Sequence, residues 1–542
     1  MSFVSDILSM ARARAAAPLL LEVHGANVEA CSGSTFADNV GRARAWLRRA
    51  GVLPGDRVAL LAPNSARWAS VDVAIMAEGG IVVPLYARQD PRQLAGMLDD
   101  ASPRVLIASD GKLAAAIAAA WPRACPIATY DDVFVCEPVN ESSLPIAAPA
   151  PVTIIYTSGT SGEPKGAVLN ADNVEFMLDV TLQRISEMSS GSRAEDRVFH
   201  YLPFCFAGSR IMLWSQLRRG NPLWISTNLD NLQEELRTAK PNYFLNVPVL
   251  LERIRKGVEG RLSGMGKPVW ALHQRAFAAF CAGAASQPGR RERMWLRLAQ
   301  KLLFPRIKQL IGPNLDFLIC GSARLSEQTQ RWFEMIGLPV YQVYGLTETT
   351  GIVTIDDTKN VRPGRVGHAV PGCEVKLSED GELMCRGRNV FAGYWNRPEA
   401  TAQTIRDGWL YTGDQAQIDG TGSVQVAGRL KDVIVPESGH NVAPAPIEER
   451  LVLSGSGIEQ AVVVGHGRPY LTAIVTGQLA DAELERVRES VNTQLPHYQR
   501  LRKLYRAPEP FTIESGLLTA NQKLRRAVIE QHYRTAIEEM YR

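Results

Sequence analysis

Short, unbroken apolar runs alternate with helix-patterned stretches through the first third of this chain. That alternation restricts the fold more than any other feature. ADNVGRARAWLRRA (37–50) has helical spacing with an arginine-rich outer face, and GVLPGDRVALLAPNS then reads as a turn and a buried strand. WASVDVAIMAEGG is a second helix and IVVPLYA a second strand, and PRQLAGMLDDA with RVLIASD repeats the theme. Strands that are apolar throughout are covered on both faces, which is the habit of largely parallel sheets in α/β architecture. The theme returns in VFHYLPF, NYFLNVP, LDFLICGSA and VYQVYGLTE, each ending in small or polar residues. Ligands of open α/β sheets sit beyond such carboxyl ends.

A chain of 542 residues exceeds one compact core, so two or more domains are expected. Residues 361–430 change character: EVKLS, GELMCRG and GSVQVAGR are separated by Gly and Asp turns, the mark of a small antiparallel, β-barrel-like unit. After Arg429 a mixed pattern continues to the end, long enough for a separate small α+β domain.

With 60 basic and 56 acidic residues, net +4, the charge is too balanced for nucleic acid as the main partner. Eight cysteines without CxxC spacing exclude the usual metal and redox motifs and read as reduced, small hydrophobes. No apolar run approaches the roughly 18 residues of a spanning helix. Arg12 and Arg14 before Ala15–Leu21 only faintly resemble a signal peptide, so a cytoplasmic location is the default expectation. Residues 275–308 are basic and partly amphipathic, with Arg290, Arg291, Arg293, Arg297, Lys301, Arg306 and Lys308 beside Trp295, Leu296, Leu302, Leu303 and Phe304. A peripheral membrane helix has this composition. So does a solvated helix with its apolar side in the core, which is the reading adopted.

Five segments carry chemistry. In TIIYTSGTSGEPKG (153–166) an apolar strand ends in the hydroxyls of Thr157, Ser158, Thr160 and Ser161, with Gly159 and Gly162 allowing close backbone approach and Lys165 adding charge. The combination suits a nucleotide polyphosphate, although the P-loop pattern fails because Lys165 lies between Pro164 and Gly166. YGLTET (344–349) joins an aromatic, a glycine, hydroxyls and a carboxylate, for which a turn with Thr347 as a helix cap is nearly as good a reading. YTGD ends at Asp414, GRLKD spans 428–432, and GLLTANQKLRR contains Lys523. Each of these three is weak alone.

In this order the five resemble the adenylate-forming superfamily of acyl-CoA synthetases, luciferases and peptide-synthetase adenylation domains. LPFCFAGSR, KPNYFLNVPVLLERI, SGHNVAPAPIEE and FTIESGLLTANQKLRR resemble long-chain fatty acyl-CoA synthetases in particular. The resemblance implies a large domain (1–428) of stacked α/β sheets, a hinge (429–432) at Lys431, and a small mobile lid domain (433–542). It implies ATP, Mg²⁺ and CoA, a fatty acid made into an acyl adenylate, and transfer to CoA. A carrier-protein acceptor, an aryl or other hydrophobic acid, and a non-catalytic nucleotide-binding scaffold are the alternatives.

By the same resemblance Thr157, Ser158, Gly159, Thr160, Ser161, Gly162 and Lys165 cradle phosphates, and Glu348 with Thr157 holds the metal. Thr347 contacts the α-phosphate. Tyr344 and Gly345 meet adenine, flanked by Gly321, Ser322 and Ala323. Asp414 and Arg429 take the ribose hydroxyls, and Lys523 bridges carboxylate and phosphate. Gly439, His440 and Asn441 face the CoA channel, and Phe204 and Phe206 line the acyl pocket. Five positions depart from the family pattern. Phe206 and His440 stand where histidine and lysine are common, GSARLS lacks the usual second glycine and proline, and Glu163 is acidic.

Overall fold

The computed structural model describes residues 2–123, 125–158, 164–189, 195–285, 289–454, 457–519 and 523–542. The run of strands and helices expected from the alternation is present. Arg57–Leu61, Ile81–Leu85 and Val105–Ala108 are parallel neighbours, almost wholly buried. They sit in a seven-stranded sheet ordered Gly393–Tyr394, Pro164–Asn170, Pro151–Ser158, Ile81–Leu85, Arg57–Leu61, Val105–Ala108 and Ile127–Thr129. A nine-stranded sheet holds Val198–His200, Tyr243–Asn246, Leu318–Cys320 and Val340–Tyr344 in parallel at its centre. Both counts are of the described residues. The helix Ala66–Ala77 begins where Ser65 Oγ accepts from the Trp68 amide at 3.0 Å. Every residue of it except Arg67 is buried, as expected of a helix enclosed on all sides rather than one facing water.

The helix predicted over 37–50 starts earlier, at Gly33, and its arginine face is not all outward. Arg44 is buried, and its Nε donates to Glu78 Oε1 at 2.6 Å. Helical spacing alone cannot distinguish a buried, paired arginine from a solvated one. The antiparallel unit forms as expected. Cys373–Leu377, Glu382–Gly387, Ile405–Arg406, Trp409–Ile418 and Val424–Arg429 make one sheet. The C-terminal segment packs a three-stranded sheet, Ile458–Val464, Leu471–Gly477 and Leu501–Arg506, around its own apolar cores. All eight cysteines are unbridged and five of them are buried.

Among the described residues no helix is long and apolar enough to cross a membrane. One buried charge pair ties the large sheets together. Arg210, on the helix Ala207–Arg219, pairs with Asp72 and donates to the Thr153 hydroxyl, while Trp214 Nε1 donates to Asp72 Oδ2 at 2.8 Å.

Candidate functional site

The strand that opens the phosphate-loop motif runs to Ser158 and pairs antiparallel with Pro164–Asn170, placing Thr157 opposite Lys165. The sequence suggested a strand and a loop; the returning strand was hidden because Pro164 and Gly166 read as loop residues. Gly166 is required by packing, since a Cβ there would lie 2.6 Å from Ile154 Cγ2. The Thr157 hydroxyl donates to the Lys165 carbonyl at 3.4 Å. Gly159, Thr160, Ser161, Gly162 and Glu163 lie outside the described residues, as does the Ser158 side chain.

Beside this hairpin packs the short turn Thr347–Thr349, at the end of the strand Val340–Tyr344. The capping reading of YGLTET is corrected in one detail. Thr349, not Thr347, makes the cap: its Oγ1 accepts from the Leu346 amide at 2.8 Å. Thr347 remains half-buried beside Glu348. Gly345 has no alternative residue, because a Cβ would fall 2.3 Å from the Gly351 carbonyl oxygen. Glu348 Oε1 accepts from the Tyr394 hydroxyl at 2.7 Å, and the Lys165 ammonium lies 5.3 Å from the centroid of the same ring. Tyr394 is the residue that sequence reasoning missed, since a tyrosine in GYWN carries no signal by itself.

The nucleoside half of the candidate site centres on Asp414. Its strand pairs with Val424–Arg429, which puts Asp414 opposite Arg429. Arg429 Nε lies 3.0 Å from Asp414 Oδ1, and the Tyr344 hydroxyl donates to Oδ2 at 2.6 Å. Burial raises the Asp414 pKa, against the opposing Arg429 charge and the Tyr344 hydrogen bond. The Tyr344 phenol is raised well above its ordinary range, by burial first and the Asp414 charge second, so it stays a donor. Gly321 donates its amide to the Asn246 carbonyl at 3.0 Å, and Ser322 and Ala323 after it are exposed. Ser322 has φ 71°. Glycine takes this left-handed conformation freely, whereas serine loses about 1 kcal/mol, which accounts for the glycine usual at this place.

Lys523 comes from the far end of the chain. Its amide donates to Thr519 Oγ1 at 3.0 Å, and Thr519 donates back to the Lys523 carbonyl at 2.8 Å. Its side chain is exposed. Desolvation by the surrounding protein lowers its pKa, helped by the Arg429 charge and opposed by Asp414 and Glu348. Three separate motifs thus share one electrostatic neighbourhood. The C-terminal segment is held there by Arg324 Nε to Glu449 Oε2 at 3.2 Å and Lys256 Nζ to the Val452 carbonyl at 3.2 Å.

Lys431 is exposed in the turn Leu430–Asp432, between the antiparallel unit and the C-terminal segment. Gly439, His440 and Asn441 are exposed, with His440 stacked on Tyr498 at 4.6 Å. Phe204 is fully buried between His200 and Trp68, as a core residue is. Phe206 is half-buried with its ring 6.1 Å from Tyr86. Among the described residues no group of three or more His, Cys, Asp or Glu side chains could hold a metal unaided. Hard oxygen donors such as Glu348 and Thr157 fit Mg²⁺, which keeps several waters and takes phosphate oxygens for the remainder.

Stacked α/β sheets, a hydroxyl- and glycine-rich hairpin, and an Asp–Arg–Tyr cluster approached by a lysine from a second domain define a nucleotide-binding enzyme class. The chain belongs to the AMP-binding enzyme family: that family's profile matches residues 15–395, and its C-terminal domain profile matches residues 431–542. Among curated proteins it is similar to the long-chain-fatty-acid–CoA ligase FadD15 of Mycobacterium bovis, 28% identical over 93% of this chain and 91% of the relative. Among solved structures it shares the fold of the anthranilate CoA ligase AuaEII in complex with anthranoyl-AMP, with TM-score 0.77, 20% identity, and 99% and 98% of the two chains covered. It also shares that of the o-succinylbenzoate CoA synthetase of Bacillus subtilis in complex with ATP and magnesium, with TM-score 0.74, 19% identity, and 96% and 98% covered.

Proposed function

We propose that the protein is an AMP-forming acid–thiol ligase, which joins a medium- or long-chain fatty acid to CoA through an acyl adenylate. The reading is carried by one observation: Asp414 holds Arg429 at 3.0 Å and accepts from the Tyr344 hydroxyl at 2.6 Å, which joins three of the separate motifs in one place. The similarity to long-chain-fatty-acid–CoA ligases over nine-tenths of the chain supports the substrate class. In the first half-reaction the substrate carboxylate attacks the α-phosphorus of ATP, forming an acyl–O–P bond and releasing pyrophosphate. Two anions must approach, so cationic groups fixed beforehand lower the barrier. Thr157, Ser158 and Lys165, with Gly159 to Gly162, hold the β- and γ-phosphates. Thr347 contacts the α-phosphate, and Tyr344, with Gly345 and Gly321 to Ala323, borders adenine. Asp414 and Arg429 take the ribose hydroxyls, and Lys523 bridges carboxylate and α-phosphate oxygens. Glu348 and Thr157 would hold Mg²⁺, which when bound neutralises phosphate charge.

In the second half-reaction the CoA thiol attacks the acyl carbon and AMP leaves. Residues 433–542 act as a lid turning on 429–432 about Lys431, withdrawing Lys523 and bringing Gly439, His440 and Asn441 toward the CoA path. Phe206 lies at the acyl entrance, with Phe204 as support behind it. A cytoplasmic enzyme with peripheral membrane contact fits this substrate class. His440, at a place where lysine is common, favours a second reading in which a carrier protein is the acceptor. A panel of carboxylic acids, read by pyrophosphate release with and without CoA, tests both. CoA-dependent AMP release with medium or long chains supports the ligase, and carrier loading without a CoA response supports the second reading. Absence of pyrophosphate exchange with every acid would leave only a scaffold.

A further inference from the structure

The helix Arg290–Leu302 has two apolar rows where a surface helix needs one. Leu296, Ala299 and Leu303 pack inward with the core formed by the helix Lys267–Ala285 and its neighbours, and Arg275 lies over the Trp295 ring at 4.7 Å. That is the face the sequence led one to expect. Met294, Leu298 and Leu302, spaced four apart, form a second row that is 52%, 39% and 51% exposed. Residues at i, i+4 and i+8 share one face, so these three make a stripe rather than scattered side chains. Arg290, Arg293, Arg297 and Lys301 run along one side of it and border the same shallow surface groove as Met294 and Leu298. From 289 to 312 there are seven basic residues and one acid, Glu292, in a chain whose net charge is only +4.

We propose that this helix docks the protein on an anionic lipid surface, lying in the headgroup plane with Met294, Leu298 and Leu302 inserted and the arginines on lipid phosphates. A polyanion such as RNA would match the charges but leave the apolar row in water. A bilayer interface satisfies both rows at once. The contact is peripheral, because no described helix could span a bilayer.

The test uses the full chain and sedimentation with vesicles of phosphatidylcholine alone or mixed with phosphatidylglycerol. The protein is expected to partition onto the mixed vesicles only, and less as salt rises. Arg293→Gln with Arg297→Gln should lower that partition about 25-fold, at roughly fivefold per charge. Met294→Ser with Leu298→Ser should lower it about tenfold. Arg502→Gln with Lys503→Gln, exposed on the C-terminal sheet, should leave it unchanged. All variants should match the parent in thermal unfolding, since every substituted side chain is exposed. Failure of the parent to bind mixed vesicles overturns the proposal. So does wild-type partition by either helix variant, or binding to a short RNA in place of vesicles.

Discussion

The hydroxyl of Tyr394 donates to Glu348 Oε1 at 2.7 Å while the Lys165 ammonium sits over the Tyr394 ring. One side chain thereby orients the candidate metal ligand and abuts the candidate phosphate loop. Burial, then the Glu348 charge, raises the Tyr394 pKa, so the phenol remains a donor at any working pH. Tyr394→Phe should leave the fold intact but free the carboxylate to rotate. Partners that orient metal ligands are worth about tenfold or more in metal affinity. Pyrophosphate release titrated with Mg²⁺ should therefore shift its half-saturation upward by about that factor. An unshifted titration would show that Glu348 does not hold the metal.

Lys523 is predicted to serve adenylation alone. Lys523→Ala should slow acyl-adenylate formation by about a hundredfold or more, the usual effect of losing a group that stabilises transition-state charge. Thioester formation from supplied acyl adenylate should persist; equal loss in both halves would remove the assignment. The ammonium must be charged to act, and its pKa is lowered, chiefly by desolvation. Adenylation should thus decline on the alkaline side before a free lysine would titrate, near 10.4. Rate against pH for the first half-reaction checks this.

Asp414→Ala is expected to weaken ATP binding and, given its surroundings, also to lower stability. It leaves Arg429 and the Tyr344 hydroxyl without their carboxylate partner. Losing a buried hydrogen-bonded charge costs roughly 1–3 kcal/mol. The ATP KM and the unfolding temperature should move together. An unchanged ATP KM would detach Asp414 from the ribose.

The α/β layout was legible because a strand that is apolar along its whole length must be covered on both faces, and the motif order carried the family. Contacts between distant segments were not legible. Tyr394 to Glu348, Arg324 to Glu449 and Arg210 to Asp72 each join residues with no local periodic signature. Helical spacing likewise placed Arg44 outside, although Glu78 draws it in. The amphipathic stretch was read as one apolar face; only packing reveals which apolar residues the core has left over.

The buried Arg210–Asp72 pair offers a stability test. Both side chains have no exposed surface. Arg210→Met alone strands a buried carboxylate and should cost about 3–5 kcal/mol, whereas adding Asp72→Leu should recover much of it. Denaturant unfolding of the two singles and the double completes the cycle. Additive losses would mean the pair is not coupled. The helix carrying Arg210 also carries Phe206 at its start, so the single variants should disturb acid selectivity more than ATP affinity.

Glu252 gives a pH-dependent prediction. Burial, then the Glu449 charge, raises its pKa from 4.5 to about 7, against Lys256 and Arg255. Between those values the folded state keeps a proton that the unfolded chain releases, so folding loses stability as pH rises through this window. Above it the deficit is constant, and below it absent. Glu252→Gln carries no such proton, so its advantage over the parent should be nil near pH 4 and full by pH 8. The group is only partly buried, which reduces the gain to about 1 kcal/mol, or roughly 1 °C in unfolding temperature for a chain of this length. Thermal unfolding at both pH values measures it. A gain of equal size at both would exclude titration as the cause. Because Glu449 belongs to the C-terminal segment, the variant should also hold that segment more firmly beside the large domain above pH 7.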